Sequence, residues 1–289
     1  GSSTLRDWGV RDMEKPRRQV GARENPFMPD ATPREGDNLL PSSGEERASL
    51  HAWRRLYEKT ASASDWHELH RWHAEDAPIQ AAEDIRGKLE VQPGDVVLEV
   101  GCGCGAMMAN VLTDGQRGIG FDHCEALVRR HGDFDVCCGG LSLGVADASS
   151  IPILSRSVDR VFSYSVFQCF PTKDYARRVI AECLRVCKPG GVILIGDIFG
   201  TMEKQVQGLQ RMGLSRRAAE TTVVPLAPFW FLQRRIRGGR DGLHRRTYSR
   251  AFFRRVFRRW GLEAEFLLQE MSQRPYATTR YDVRVRIPK

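Results

Sequence analysis

Three carboxylates close three short apolar runs in the first half of the chain. Glu99 lies in Val96-Val97-Leu98-Glu99-Val100, Asp122 ends Gly118-Ile119-Gly120-Phe121, and Asp147 follows Leu143 to Ala146. Directly after the first run stands Gly101-Cys102-Gly103-Cys104-Gly105. A glycine-rich turn between a strand and a helix lets backbone N–H groups approach a ligand closely. Gly101-x-Gly103-x-x-Ala106, with an acid about 20 residues further on, also fits a dinucleotide pattern. Glu99 separates the two readings. A carboxylate at that strand end repels a pyrophosphate and suits a ligand that carries a positive ammonium. Each acid taken singly also fits a solvated turn, whereas three at successive strand ends favour a ligand.

These acids need a frame, and the periodicity supplies one. Short apolar runs alternate with helical patterns: a helix from Ala106 to Leu112, a second strand at 118–122, a helix from Glu125 to Arg130, a third strand at 143–146, and a fourth at Ser157–Ser163. A long amphipathic helix over Lys173–Cys187 then ends at Lys188-Pro189-Gly190-Gly191, read as a hard stop before a fifth strand at Val192–Ile195. Such βαβα alternation predicts a parallel sheet covered on both faces. Ser249 has the look of an N-cap for a helix reaching Trp260-Gly261, and two strands follow at Glu263–Gln269 and Arg280–Ile287. Helical patterns over Glu45–Leu89, divided by Pro78, precede the sheet.

Composition narrows the partners. Of the net charge of +8, residues 203–260 contribute fifteen Lys or Arg against Glu203, Glu220 and Asp241, so the rest of the chain is slightly acidic. No apolar run approaches the roughly 18–20 residues that span a bilayer. The first 30 residues lack the continuous apolar stretch of a signal peptide, so a cytoplasmic protein is expected. The eight cysteines lack zinc-ligand spacing and read as buried, reduced thiols; no metal is expected. Residues 1–45, rich in Pro and in charges of both signs, read as a flexible tail.

In this setting the chain resembles the class I S-adenosylmethionine-dependent methyltransferases, of the small-molecule type. Glu99 to Gly105 is similar to their first motif, Asp122 to the acid ending strand two, and Ala146-Asp147-Ala148 with Ile151-Pro152 to the adenine-side motif. The segment 157–163 resembles their fourth strand, and 184–191 the turn before the fifth. The resemblance covers about residues 90–200 and 247–288. It implies an α/β, Rossmann-like seven-stranded sheet in the order 3-2-1-4-5-7-6 with strand seven antiparallel. It divides 46–289 into a helical cover (46–90), a cofactor-binding core (91–199), a substrate cap (200–246) and a last helix with antiparallel strands (247–289). The backbone of Gly101, Cys102 and Gly103 would approach the methionyl part of S-adenosylmethionine, and Glu99 its ammonium. Asp122 would accept both ribose hydroxyls, with His123 beside the ribose or adenine. Asp147 would accept from the adenine amino group, with Ala148 N–H at the ring. Ser163 would line the sulfonium side, and Tyr57 would cap the cofactor.

The acceptor side is less defined. Methyl transfer by in-line displacement needs alignment and desolvation more than strong acid catalysis, and a hydroxyl acceptor gains from a base. His67 and His70, with His73 further round, share a helix face in Trp66-His67-Glu68-Leu69-His70-Arg71-Trp72-His73; they read as candidate bases or as exposed positions of a cover helix. Asp197 at the end of strand five is a base or anchor, and Tyr164 and Gln168 offer hydrogen bonds. The expected function is transfer to O or N of a small molecule, anionic if an arginine of 200–246 reaches it. The alternatives are an RNA or lipid acceptor on the basic 203–260 region and a non-catalytic S-adenosylmethionine-binding protein. Nucleic acid is the less favoured partner, since the Asn/Asp-Pro-Pro-aromatic signature of many base-amine enzymes is replaced by Ser163-Tyr164-Ser165-Val166. Phe229-Trp230-Phe231 beside arginines leaves a membrane surface open.

Overall fold

The computed structural model describes residues 43–61, 77–113, 115–131, 140–200, 212–215, 218, 245–268 and 280–289. In chain order these form α1 (Gly44–Thr60), α2 (Ala77–Leu89), β1 (Val96–Val100), α3 (Ala106–Val111), β2 (Arg117–Asp122), α4 (Glu125–Val128), β3 (Leu141–Val145) and β4 (Val158–Tyr164). A 3₁₀ turn at Phe167–Cys169, α5 (Lys173–Val186), β5 (Cys187–Phe199), α6 (Arg250–Arg258), β6 (Glu265–Leu267) and β7 (Arg280–Arg286) follow. The sheet order is β3-β2-β1-β4-β5-β7-β6. β1 to β5 run parallel, and β7 lies antiparallel to β5 and to β6.

Side chains alternate between two cores, as strands buried on both faces require. Val96, Leu98 and Val100 of β1 pack with α5 and α6, while Val97 packs with α2 and α3. The amphipathic spacing of α6 sends Phe252, Phe253, Val256 and Phe257 inward and leaves Arg254, Arg255, Arg258 and Arg259 exposed. Ser249 caps it as expected, its hydroxyl accepting Phe252 N–H at 3.2 Å. Thr172 caps α5 in the same way through Tyr175 N–H at 2.9 Å.

The expected stop at residues 188–191 is corrected by the structure. β5 begins at Cys187, which pairs with Val158, and regains β4 where Arg160 pairs with Val192. The intervening residues bulge out of an extended strand instead of ending it. Gly190, at φ 77°, makes this turn and donates its N–H to Ile287 O at 3.0 Å. A second irregularity lies at the other end of β5, where the β7 register shifts between Ile195 and Ile198. It falls at the carboxyl end of the parallel strands, where open α/β sheets bind ligands.

Candidate active site

Strand order reverses between β1 and β4, and the loops at their carboxyl ends diverge there. The glycine turn after β1 is held tightly. Gly101, Gly103 and Gly105 have φ of 82°, 57° and 86°, the left-handed region that favours glycine. A Cβ on Gly101 would stand 2.5 Å from Val166 Cγ2, so the β1 and β4 loops touch at this point. Cys102 Sγ sits instead against Gly120 of β2, buried, which pushes its thiol well above the usual cysteine range. Its side chain is therefore a packing group, and only its backbone belongs to the turn.

Asp122 ties that turn to β2. Its Oδ2 accepts Gly103 N–H at 2.9 Å and its Oδ1 accepts Cys124 N–H at 2.8 Å. His123 Nδ1 lies 3.5 Å from Oδ1, and its Nε2 is buried without a hydrogen-bond partner. Glu99 is 3% exposed. Burial drives its carboxyl well above the usual range, opposed by a hydrogen bond from Met108 N–H and assisted by the Asp122 charge. Its Oε2 has no partner, and neither does the buried Ser163 Oγ on β4. Two orphaned polar atoms flanking a glycine turn are the arrangement that a polar, cationic ligand would complete. Asp147 follows β3, with Ala148 half-buried beside it. Its Oδ1 accepts from Ser149 N–H, Ser149 Oγ and Tyr175 Oη, each at 2.7 Å.

Tyr57 of α1 packs with Cys104, Ala106, Cys124 and Leu127. Its hydroxyl lies 3.7 Å from Cys169 Sγ. The Cys169 thiol and burial hold the Tyr57 hydroxyl well above the usual tyrosine range, with the Asp122 charge adding to them and the Arg245 charge opposing. Burial pushes Cys169 up to about 12.

On the far side of β4, Asp197 is fully buried at φ 61°, within the β5–β7 register shift between Ile195 and Ile198. Its Oδ2 accepts Ser165 Oγ at 2.6 Å and pairs with Arg280 Nη1. Its N–H donates to Asp282 Oδ1 at 2.8 Å. Asp282 Oδ2 in turn holds Lys88 Nζ at 2.7 Å, and Lys88 also bonds Asp84. Gln168 Nε2 donates to Ser165 Oγ at 3.0 Å, and Arg246 N–H donates to Gln168 O at 2.8 Å. Tyr164 points to the opposite face: its ring lies over Gly196 in the core lined by α2 and α3.

Glu99, the glycine turn, Asp122, His123, Asp147 and Ser163 thus gather at the carboxyl ends of β1 to β4, with Tyr57 reaching them from α1. His67 and His70 lie outside the described residues, as does most of 200–246. Sequence reasoning missed Ser165, Arg280, the Lys88–Asp282 pair and Tyr175. Arg280 pairs with a residue 83 positions away, and no local pattern marks such a partner.

Comparison with known proteins agrees with this geometry. Residues 98–195 match the family described as methyltransferase domain. The probable tRNA methyltransferase 9B of Mus musculus is 30% identical over 121 residues, 42% of this chain and 26% of that protein. The methyltransferase GfsG of Streptomyces halstedii is 31% identical over 137 residues, 44% of this chain and 47% of that protein. The chain therefore spans a quarter to a half of the length of these relatives. Phosphoethanolamine N-methyltransferase 1 of Haemonchus contortus, solved with phosphoethanolamine and S-adenosylhomocysteine, shares the fold at TM-score 0.59 and 12% identity, covering 84% of this chain and 50% of that one. The chain carries a class I S-adenosylmethionine-dependent methyltransferase domain. S-adenosylmethionine is the cofactor of that domain, and the orphaned Glu99 and Ser163 atoms beside the glycine turn fit it.

Proposed function

We propose that the protein transfers a methyl group from S-adenosylmethionine to an O or N atom of a small-molecule acceptor. The observation that carries this reading is the buried, half-satisfied Glu99 carboxyl beside a glycine turn braced by Asp122. The cofactor supplies an electrophilic methyl on a sulfonium. Glu99 takes its ammonium, the N–H groups of residues 101–103 and Ser163 line its methionyl part, Asp122 with His123 holds the ribose, and Asp147 with Ala148 holds the adenine. Tyr57 closes the mouth and keeps water out.

On the acceptor side, Asp197 is no base or direct anchor, because it is fully buried with its carboxylate engaged by Arg280 and Ser165; it holds those two side chains in place. Arg245, whose charge reaches Tyr57 and Cys169 at the mouth, supports an acceptor bearing a carboxylate or phosphate. The segment 200–246 is the part we assign to acceptor choice. A reducing, cytoplasmic setting suits the free thiols of the core.

A second reading, an RNA acceptor, draws on the similarity to the mouse relative and on the exposed Arg254, Arg255 and Arg258 of α6 with Arg259 at its C-cap. One experiment separates the two. The protein is incubated with labelled S-adenosylmethionine and a cell extract divided into small molecules and RNA. Our reading expects label in a small molecule that gains the mass of CH2; label confined to RNA would replace it with the second reading, and label in neither would leave only binding.

A further inference from the structure

Asp147 is exposed at the end of β3, where a carboxylate would ordinarily be free to turn. It is not free. A carboxylate only accepts hydrogen bonds, and three donors converge on one oxygen, Oδ1: Ser149 N–H, Ser149 Oγ and Tyr175 Oη, all at 2.7 Å. Oδ2 receives none of them and is left as an acceptor with one fixed direction.

Tyr175 is itself immobilised. Its ring is buried against Phe170, with centroids 5.1 Å apart, and the Arg178 guanidinium lies over it at 5.2 Å. Its backbone N–H is taken by the Thr172 cap of α5. Glu46 of α1 binds both the Thr172 hydroxyl and, at 2.7 Å, Arg178. The bond satisfies the buried tyrosine hydroxyl and fixes one oxygen of an otherwise exposed carboxylate.

We propose that Tyr175 is a positioning residue for cofactor-base selection: by pinning Asp147 Oδ1 it turns Oδ2 toward the exocyclic group of the purine, so that the site takes a 6-amino purine and refuses a 6-oxo purine. A fixed acceptor discriminates between an amino donor and an oxo acceptor, because the wrong partner leaves two acceptors facing each other. The inference rests on the assignment of Asp147 to the adenine. It makes Ser149 the lesser helper and gives α1 an indirect part, through Glu46, in holding the purine.

The test uses S-adenosylhomocysteine and S-inosylhomocysteine as probes, with calorimetric affinities for the wild-type protein and for Asp147→Ala, Tyr175→Phe and Ser149→Ala. Tyr175→Phe keeps the ring in its packing, and its melting temperature reports on the fold. The expected result is a strong wild-type preference for the adenosyl compound, reduced most by Asp147→Ala, reduced about threefold to tenfold by Tyr175→Phe, and reduced less by Ser149→Ala. If Tyr175→Phe weakens both compounds equally, or changes neither while Asp147→Ala removes the preference, Tyr175 does not position the carboxylate and the proposal is overturned. If Asp147→Ala itself leaves the preference intact, the assignment of Asp147 to the adenine fails, and the proposal with it.

Discussion

Gly103 N–H donates to Asp122 Oδ2 at 2.9 Å, so the acid that closes β2 also fastens the turn that follows β1. With Cys124 N–H on the other oxygen, the carboxylate braces the backbone on both sides. Asp122→Ala is expected to cost about 2–4 kcal/mol of S-adenosylhomocysteine affinity through lost charge-assisted bonds. It should also cost about 1–2 kcal/mol of stability, because two backbone donors lose their partner. Calorimetry and urea unfolding check the two numbers; an affinity loss with unchanged stability would show that the brace contributes nothing.

Glu99 predicts a pH effect with a definite sign. Its folded pKa is raised by burial, so the ligand-free protein holds a proton there that the unfolded chain releases. The contribution of Glu99 to stability is full below the ordinary carboxylate pKa and is lost as pH rises through the raised value. Glu99→Gln should therefore stabilise the ligand-free protein at neutral and higher pH, with the gain disappearing in acid, while weakening cofactor binding. S-adenosylmethionine binding to the wild-type protein should release a proton if it ionises this carboxyl. Titrations in buffers of different ionisation enthalpy measure that release, and a Glu99→Gln variant that releases as many protons would contradict the assignment.

The buried pair of Lys88 and Asp282 holds Asp197 N–H from behind the sheet. Asp282→Ala leaves Lys88 with only part of its partners and removes the support of a left-handed residue. The expected loss is about 3–5 kcal/mol of stability in denaturant unfolding. A loss below about 1 kcal/mol, the range of exposed pairs, would mean that water reaches this pair.

Gly101→Ala meets two obstacles at once, a φ of 82° and Val166 Cγ2 at 2.5 Å from the new Cβ. We expect about 1–3 kcal/mol of destabilisation. Val166→Ala should recover the steric share alone in the double variant. Full additivity of the two substitutions would show that the loops do not press on each other here.

The parallel core was legible because strands buried on both faces are apolar runs, and because Glu99, Asp122 and Asp147 interrupt or end them with charge. The order of elements along the chain followed from those runs, and the strand order from the resemblance. Lys188-Pro189-Gly190-Gly191 misled, since the same residue types that end an element also form a bulge within one. Ser165 and Asp197 take left-handed φ of 63° and 61° without being glycine. Only their tertiary bonds hold them there, so nothing local announces the turn. Tyr175 reads as one more inward position of an amphipathic helix until its hydroxyl is seen at Asp147.

The central claim, that Glu99 and the glycine turn make a site for S-adenosylmethionine and not for a dinucleotide, is tested most directly by calorimetric titration of the purified protein with S-adenosylmethionine, S-adenosylhomocysteine and NAD. The account predicts saturable binding of the first two, weakened by Glu99→Gln and Asp122→Ala, and none of NAD; binding of NAD without binding of either sulfur compound would contradict it.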